Sequence, residues 1–144
     1  KDLCRPIPVR AAVTMRNYVE LDLTGDHPTG RGQKMKEMTR GEKRHLGELA
    51  SRAYERELAI VLDGLYERFR KWKSNEITPW DLQEELHHYH NGTARDLHKI
   101  YEMVNDPRVA VAQAIAKGIM DITEVNEHCR SLVDGLVAYY RQAY

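Results

Sequence analysis

Thr39-Arg-Gly-Glu42 is a capping box, in which the Thr hydroxyl and the Glu carboxylate satisfy backbone amides at opposite ends of the same first turn. The helix it opens is predicted to run to about Lys73. Leu58, Leu62, Leu65, Phe69 and Trp72 recur along it at alternating steps of four and three, the seam of a coiled-coil-like packing face. Leu46, Leu49, Ala50 and Ala53 carry the apolar face backwards towards the cap. At 1.5 Å per residue such a helix is roughly 50 Å long, longer than the core of a domain this size. Any fold for this chain has to be organised around one helix that outreaches its neighbours.

The remaining punctuation is also helical. Thr78-Pro-Trp-Asp81 opens a second helix, with Thr as N-cap and Pro in the first turn, and Asn91-Gly92 reads as its stop. Thr93-Ala-Arg-Asp96 opens a third, with Leu97, Ile100, Tyr101 and Val104 inward. Asp106-Pro107 opens a fourth that ends near Gly118. Thr123-Glu124 opens a fifth, carrying Cys129, Leu132, Val133, Leu136, Val137 and Tyr140. The expected fold is mainly α: a helical bundle of about five helices, with one long helix and a short N-terminal extended segment.

That segment is Tyr18–Leu23, where apolar and acidic residues alternate with the period of a half-buried strand. Thr24–Gln33, with three glycines and Pro28, reads as a loop. Residues 1–14 hold Pro6 and Pro8 and differ in character from the rest of the chain, and Met15 is a plausible initiator. They are expected to be a non-native or disordered extension, with residues 15–144 forming one helical domain.

Size and composition fit this. A chain of 144 residues that is 42% apolar and 31% charged suits a single globular domain. No apolar run approaches the length of a membrane span, and no signal-peptide pattern is present. Cys4 and Cys129 are too few for a disulfide framework or a thiolate zinc site, so a cytoplasmic setting is expected. The 22 basic and 22 acidic residues cancel, which argues against non-specific nucleic-acid binding. They are unevenly spread: Arg31–Arg44 holds six basic and two acidic residues, Glu76–Asp106 two basic and seven acidic. Two solvated faces of opposite sign account for this, and such faces also steer association.

The densest chemical candidate is Glu84-Glu85-Leu86-His87-His88-Tyr89-His90, followed by Asp96 and His98. Glu84 with His87, and Glu85 with His88, have the spacing used in di-metal carboxylate bundles, but the pattern needs a second Glu–His helix. Glu124 with His128, four residues apart, does not supply it. Leu82, Leu86 and Tyr89 define the inward stripe, which turns His87 and His88 sideways. His90 and His98 lie nearest the apolar faces and flank the same turn, so they are the better metal ligands. Glu57 falls on the apolar face of the long helix between Ala53 and Val61, and a carboxylate there needs a partner or a role as ligand. A divalent metal on His90, His98 and Glu57 is thus the one cofactor these residues suggest. A salt bridge for Glu57, and solvated or capping histidines, are the plainer alternatives. No helix-turn-helix register fits around Gly92 or Gly118, and there is no phosphate-binding loop or nucleophile elbow.

The block Leu86-His-His-Tyr-His-Asn-Gly-Thr-Ala-Arg-Asp-Leu97, with Ile100-Tyr101 and Val109-Ala-Val-Ala112 after it, resembles small uncharacterised bacterial helical proteins. The in-frame stretch before Met15 is similar to what precedes proteins of integron cassettes and mobile elements. The resemblance covers about a third of the chain and carries no activity, so it assigns no catalytic residue.

The residues therefore point first to a non-enzymatic, self-associating helical protein that makes protein–protein contacts. Its homodimer interface would be Leu58, Leu62, Leu65, Phe69 and Trp72, and a further protein partner stays unnamed. A metal-dependent enzyme or metal-binding protein is the second reading, and a nucleic-acid accessory protein the third. Against the dimer stands one intramolecular alternative, in which the last helix folds back and buries the seam within one chain.

Overall fold

The computed structural model describes residues 37–143. The strand-like Tyr18–Leu23, the loop at Thr24–Gln33 and the extension at 1–14 all lie outside the described residues. Within them the chain is mainly α, with no strand.

Helix α1 spans Arg40–Lys73, with both halves of the Thr39–Glu42 capping box in place. It stops at a Schellman motif, in which Asn75 takes the left-handed conformation (φ 61°) and the amides of Asn75 and Glu76 reach back to the carbonyls of Trp72 and Lys71. Helix α2, Pro79–His88, starts on a second capping box made by Thr78 and Asp81. The short loop turns α2 back along the distal half of α1, and Arg68 meets Glu85 across the pair at 3.5 Å.

The predicted stop at Asn91-Gly92 does not occur. The chain passes from α2 into a π-helical turn, Tyr89–Ala94, then one α turn, α3 (Arg95–His98), then a second π turn, Lys99–Met103. The backbone at the junctions His88, Arg95 and Lys99 stays right-handed helical, so the expected second and third helices form one rod that ends at Val104. Gly92 lies inside it with open space where a Cβ would be, so neither a tight turn nor a close approach requires glycine there.

Helix α4, Pro107–Ala116, is capped by Asp106 and closed by a second Schellman motif at Gly118 (φ 75°), whose amide bonds the Ile115 carbonyl while that of Ile119 bonds Ala114. Its sequence is apolar on nearly every side and Arg108 through Ile115 are all buried, as a helix without a polar face must be. Thr123-Glu124 do not open the last helix. They form a 3₁₀ turn capped by Asp121, and α5, Glu127–Arg141, begins on Asn126.

The core lies between the proximal half of α1, α4 and α5. Leu46, Leu49, Ala50 and Ala53 pack with Val111, Ala114 and Ile115 of α4 and with Cys129, Val133, Val137 and Tyr140 of α5. The Asn126 amide donates to His45 Nε2 at 3.3 Å, joining the start of α5 to the first turns of α1. Nothing beyond Ala53 on α1 enters this core. Helix α5 therefore packs on α4, and the seam residues from Leu58 onwards are left to the rod that begins with α2.

Candidate functional site

Two places combine the residues that the sequence singles out. One is Glu57. Its side chain reaches the junction of α1, the second π turn and the end of α4, where Tyr101 Oη donates to Oε2 and Lys117 Nζ to Oε1, both at 2.7 Å. Tyr54 stacks on Tyr101 with ring centroids 5.0 Å apart and planes 13° from parallel. Burial raises the Tyr54 pKa, and the negative charge of Glu102 and the nearby Tyr89 raise it further. The preceding residue, Arg56, grips Glu124 with two bonds of 2.7 and 2.8 Å and also donates to the Ile119 carbonyl. The Arg56 guanidinium holds the Glu124 carboxyl below its ordinary range. Glu57 is thus an ion-pair partner in a clasp that ties α1 to α4, the plainer of its two sequence readings.

His90 and His98 do not join it. Both are exposed, and His98 Nδ1 lies 3.4 Å from Glu102 Oε2 on the next turn of its own rod. His88 faces Glu84 at 3.6 Å, and the Asn91 amide nitrogen is 3.0 Å from His87 Nε2. Among the described residues no group of three or more His, Cys, Asp or Glu side chains is placed to hold a metal ion. The histidines' exposure follows from where the rod is buried. Leu82 is the buried residue of α2, Leu86 on its flank is already 36% exposed, and His90 lies further round on that same side, while His98 projects off the buried stripe of Leu97 and Ile100. Four arginines of α1 are likewise paired: Arg44, Arg56, Arg68 and Arg70 each face a glutamate within 4 Å.

The second place is the distal half of α1. Leu58, Leu65 and Trp72 are half-buried, while Leu62 (44%), Phe69 (37%) and Tyr66 (63%) stay exposed. On α2, Leu82 is buried and Leu86 is left 36% exposed. Helical phase sorts these residues. Leu62 and Phe69, one heptad apart, flank the α2-facing stripe on one side, and Arg68 flanks it on the other. Because α2 runs antiparallel and Glu85 meets Arg68, Leu86 lies on the same side of the pair as Leu62 and Phe69. One face of the α1–α2 hairpin is closed by an ion pair, and the opposite face is apolar.

The partners Lys117 and Tyr101 are not legible beforehand, since a contact across 60 residues leaves no periodic signal; the only hint is that Glu57 on an apolar stripe demands a partner. Tyr66 is missed because it lies one step off the leucine seam. No protein family, curated protein or solved structure matches the chain.

Proposed function

We propose that this chain is a non-enzymatic helical interaction protein that acts as a homodimer through the distal half of α1. The observation that carries the reading is the apolar surface of Leu62, Tyr66 and Phe69 on a helix segment outside the buried core. Contiguous apolar surface of this kind, rich in aromatic side chains, is the usual composition of an interface centre. A reducing cytoplasm suits the reading, since the one thiol among the described residues, Cys129, is buried and free.

Sedimentation equilibrium of the full chain at micromolar concentration tests it. The expected result is a dimer mass that reverts to monomer on Leu65→Asp combined with Phe69→Asp. A monomer at every concentration, or a dimer indifferent to both substitutions, overturns it.

A further inference from the structure

Resting on the dimer reading above, we infer that the occupant of the hairpin's apolar face is the same face of a second copy, stacked antiparallel about a two-fold axis beside Tyr66 so that two α1–α2 hairpins form a four-helix bundle. The face is self-complementary about that axis. Leu62 and Phe69 stand at nearly equal distances on either side of Tyr66, so an antiparallel partner sets each Leu62 against the other chain's Phe69, and the two Tyr66 rings meet at the centre. A two-fold interface requires this kind of reciprocity.

The charges obey the same axis. Asp63 and Arg70 lie one heptad apart on the outer flank of the face, again on either side of Tyr66. Among the described residues Asp63 has no ion-pair partner, and Arg70 is held by the exposed Glu67 three residues before it, with the Glu76 carboxylate also near. Antiparallel stacking brings Asp63 of each chain to Arg70 of the other, which makes two equivalent pairs. A parallel arrangement would set Asp63 against Asp63 and Arg70 against Arg70.

Helix α2 fixes the same level independently. The Arg68–Glu85 contact places Leu86 beside residue 67 of α1, so the axis through Tyr66 also passes near Leu86. Leu86 then faces its own copy and is covered by the same operation. The acidic residues Asp81, Glu84 and Glu85 fall on the sides of α2 turned away from Leu86, so nothing charged enters the centre from that helix.

Crosslinking with charge reversal tests the geometry in the full chain. In a Cys4→Ser background, Tyr66→Cys is expected to give a covalent dimer with a short bis-maleimide. Trp80→Cys, exposed on the far side of α2, and the background alone are expected to give none. Asp63→Arg and Arg70→Asp are each expected to weaken the sedimentation dimer roughly tenfold, and the two combined to restore it. Circular dichroism checks that each variant keeps its helicity. A dimer that neither crosslinks through position 66 nor shows rescue overturns this arrangement and leaves self-association standing. A monomer throughout overturns both. A Tyr66→Cys thiol that resists a mono-maleimide at a concentration where the chain is monomeric would mean the face is covered from within the chain, which also overturns the inference.

Discussion

Lys117 Nζ lies 2.7 Å from Glu57 Oε1, and the two side chains are only 14% and 13% exposed. Two charges so nearly enclosed have given up most of their hydration, and Tyr101 supplies the second bond that the carboxylate needs. The pair fixes where the long helix passes the end of α4, at the point where the core of α1 ends.

Removing one member should therefore cost more than removing both. Lys117→Met or Glu57→Met is expected to lower stability by about 2 kcal/mol, below the full cost of orphaning a buried charge because each site keeps some exposure to water. The Glu57→Met, Lys117→Met double variant is expected to lose less than the sum of the singles. Urea unfolding of the four proteins in a double-mutant cycle measures the coupling; strict additivity would show that the pair does not couple.

Core and seam should separate cleanly under truncation. Leu49→Ala removes a fully buried side chain and is expected to cost about 2–5 kcal/mol. Leu62→Ala, at a half-open position, is expected to cost the folded chain less than about 1 kcal/mol while raising the dimer dissociation constant. Thermal melts at low protein concentration, read beside sedimentation, distinguish the two effects. A large loss from Leu62→Ala in the monomer would place the seam inside the core.

Gly92 offers a gain. It lies in a helical rod with no atom near its missing Cβ and no left-handed backbone to preserve. Gly92→Ala is expected to stabilise by about 0.5–1 kcal/mol, largely by restricting the unfolded chain. A melting temperature higher by about 2–5 °C is the corresponding readout. A loss would mean that the rod is interrupted there, as its sequence suggests.

Stability should fall at both ends of the pH range. In the folded chain Glu124 is held below its ordinary pKa by Arg56, Asp81 by the Thr78 hydroxyl and backbone, and Asp121 by the Thr123 amide. Each contribution is complete above the ordinary carboxyl range and disappears as pH falls through the depressed folded value. At the other end, burial raises Cys129 and Tyr140, the latter opposed by Gln113 although its enclosed hydroxyl closes no hydrogen bond of good geometry. Their contribution is complete below the unfolded values of 9.0 and 10.0 and is lost as pH rises through the raised ones. Urea midpoints across pH should trace a plateau with two falling limbs, and Glu124→Gln should make the acid limb shallower.

Helix α1 is legible because its signals are local. The Thr39–Glu42 box sets its start, and Ala53, Leu49 and Leu46 follow the apolar period to the core. The same holds for Thr78 and Asp106. Asn91-Gly92 misleads because local propensity there is weak against a rod docked on α1 at Leu82 and packed again at Leu97 and Ile100. Thr123-Glu124 misleads because Asp121 uses Glu124 in a tighter turn and leaves α5 to Asn126. Of the candidate site, Glu57 announces that it needs a partner, yet its partners come from distant chain. Leu62 and Phe69 carry the seam period openly, whereas the inward stripe drawn through Leu86 runs too far round the helix, so His90 beyond it is exposed.

Those π turns also bear on which changes of length the chain can accept. A wider turn takes up one residue more than an α turn over the same rise. Deleting a single residue within Tyr89–Ala94 would let ordinary α bonding close across the gap, and because either turn carries the chain once around the axis, the rod beyond it would keep nearly its present phase. Leu97 and Ile100 would stay buried, and Tyr101 would stay beside Glu57. The loss of one residue from the regular α-helix of Pro79–His88 has no such slack and would swing everything downstream around the axis. The π turns are therefore where this rod should accept the loss of one codon.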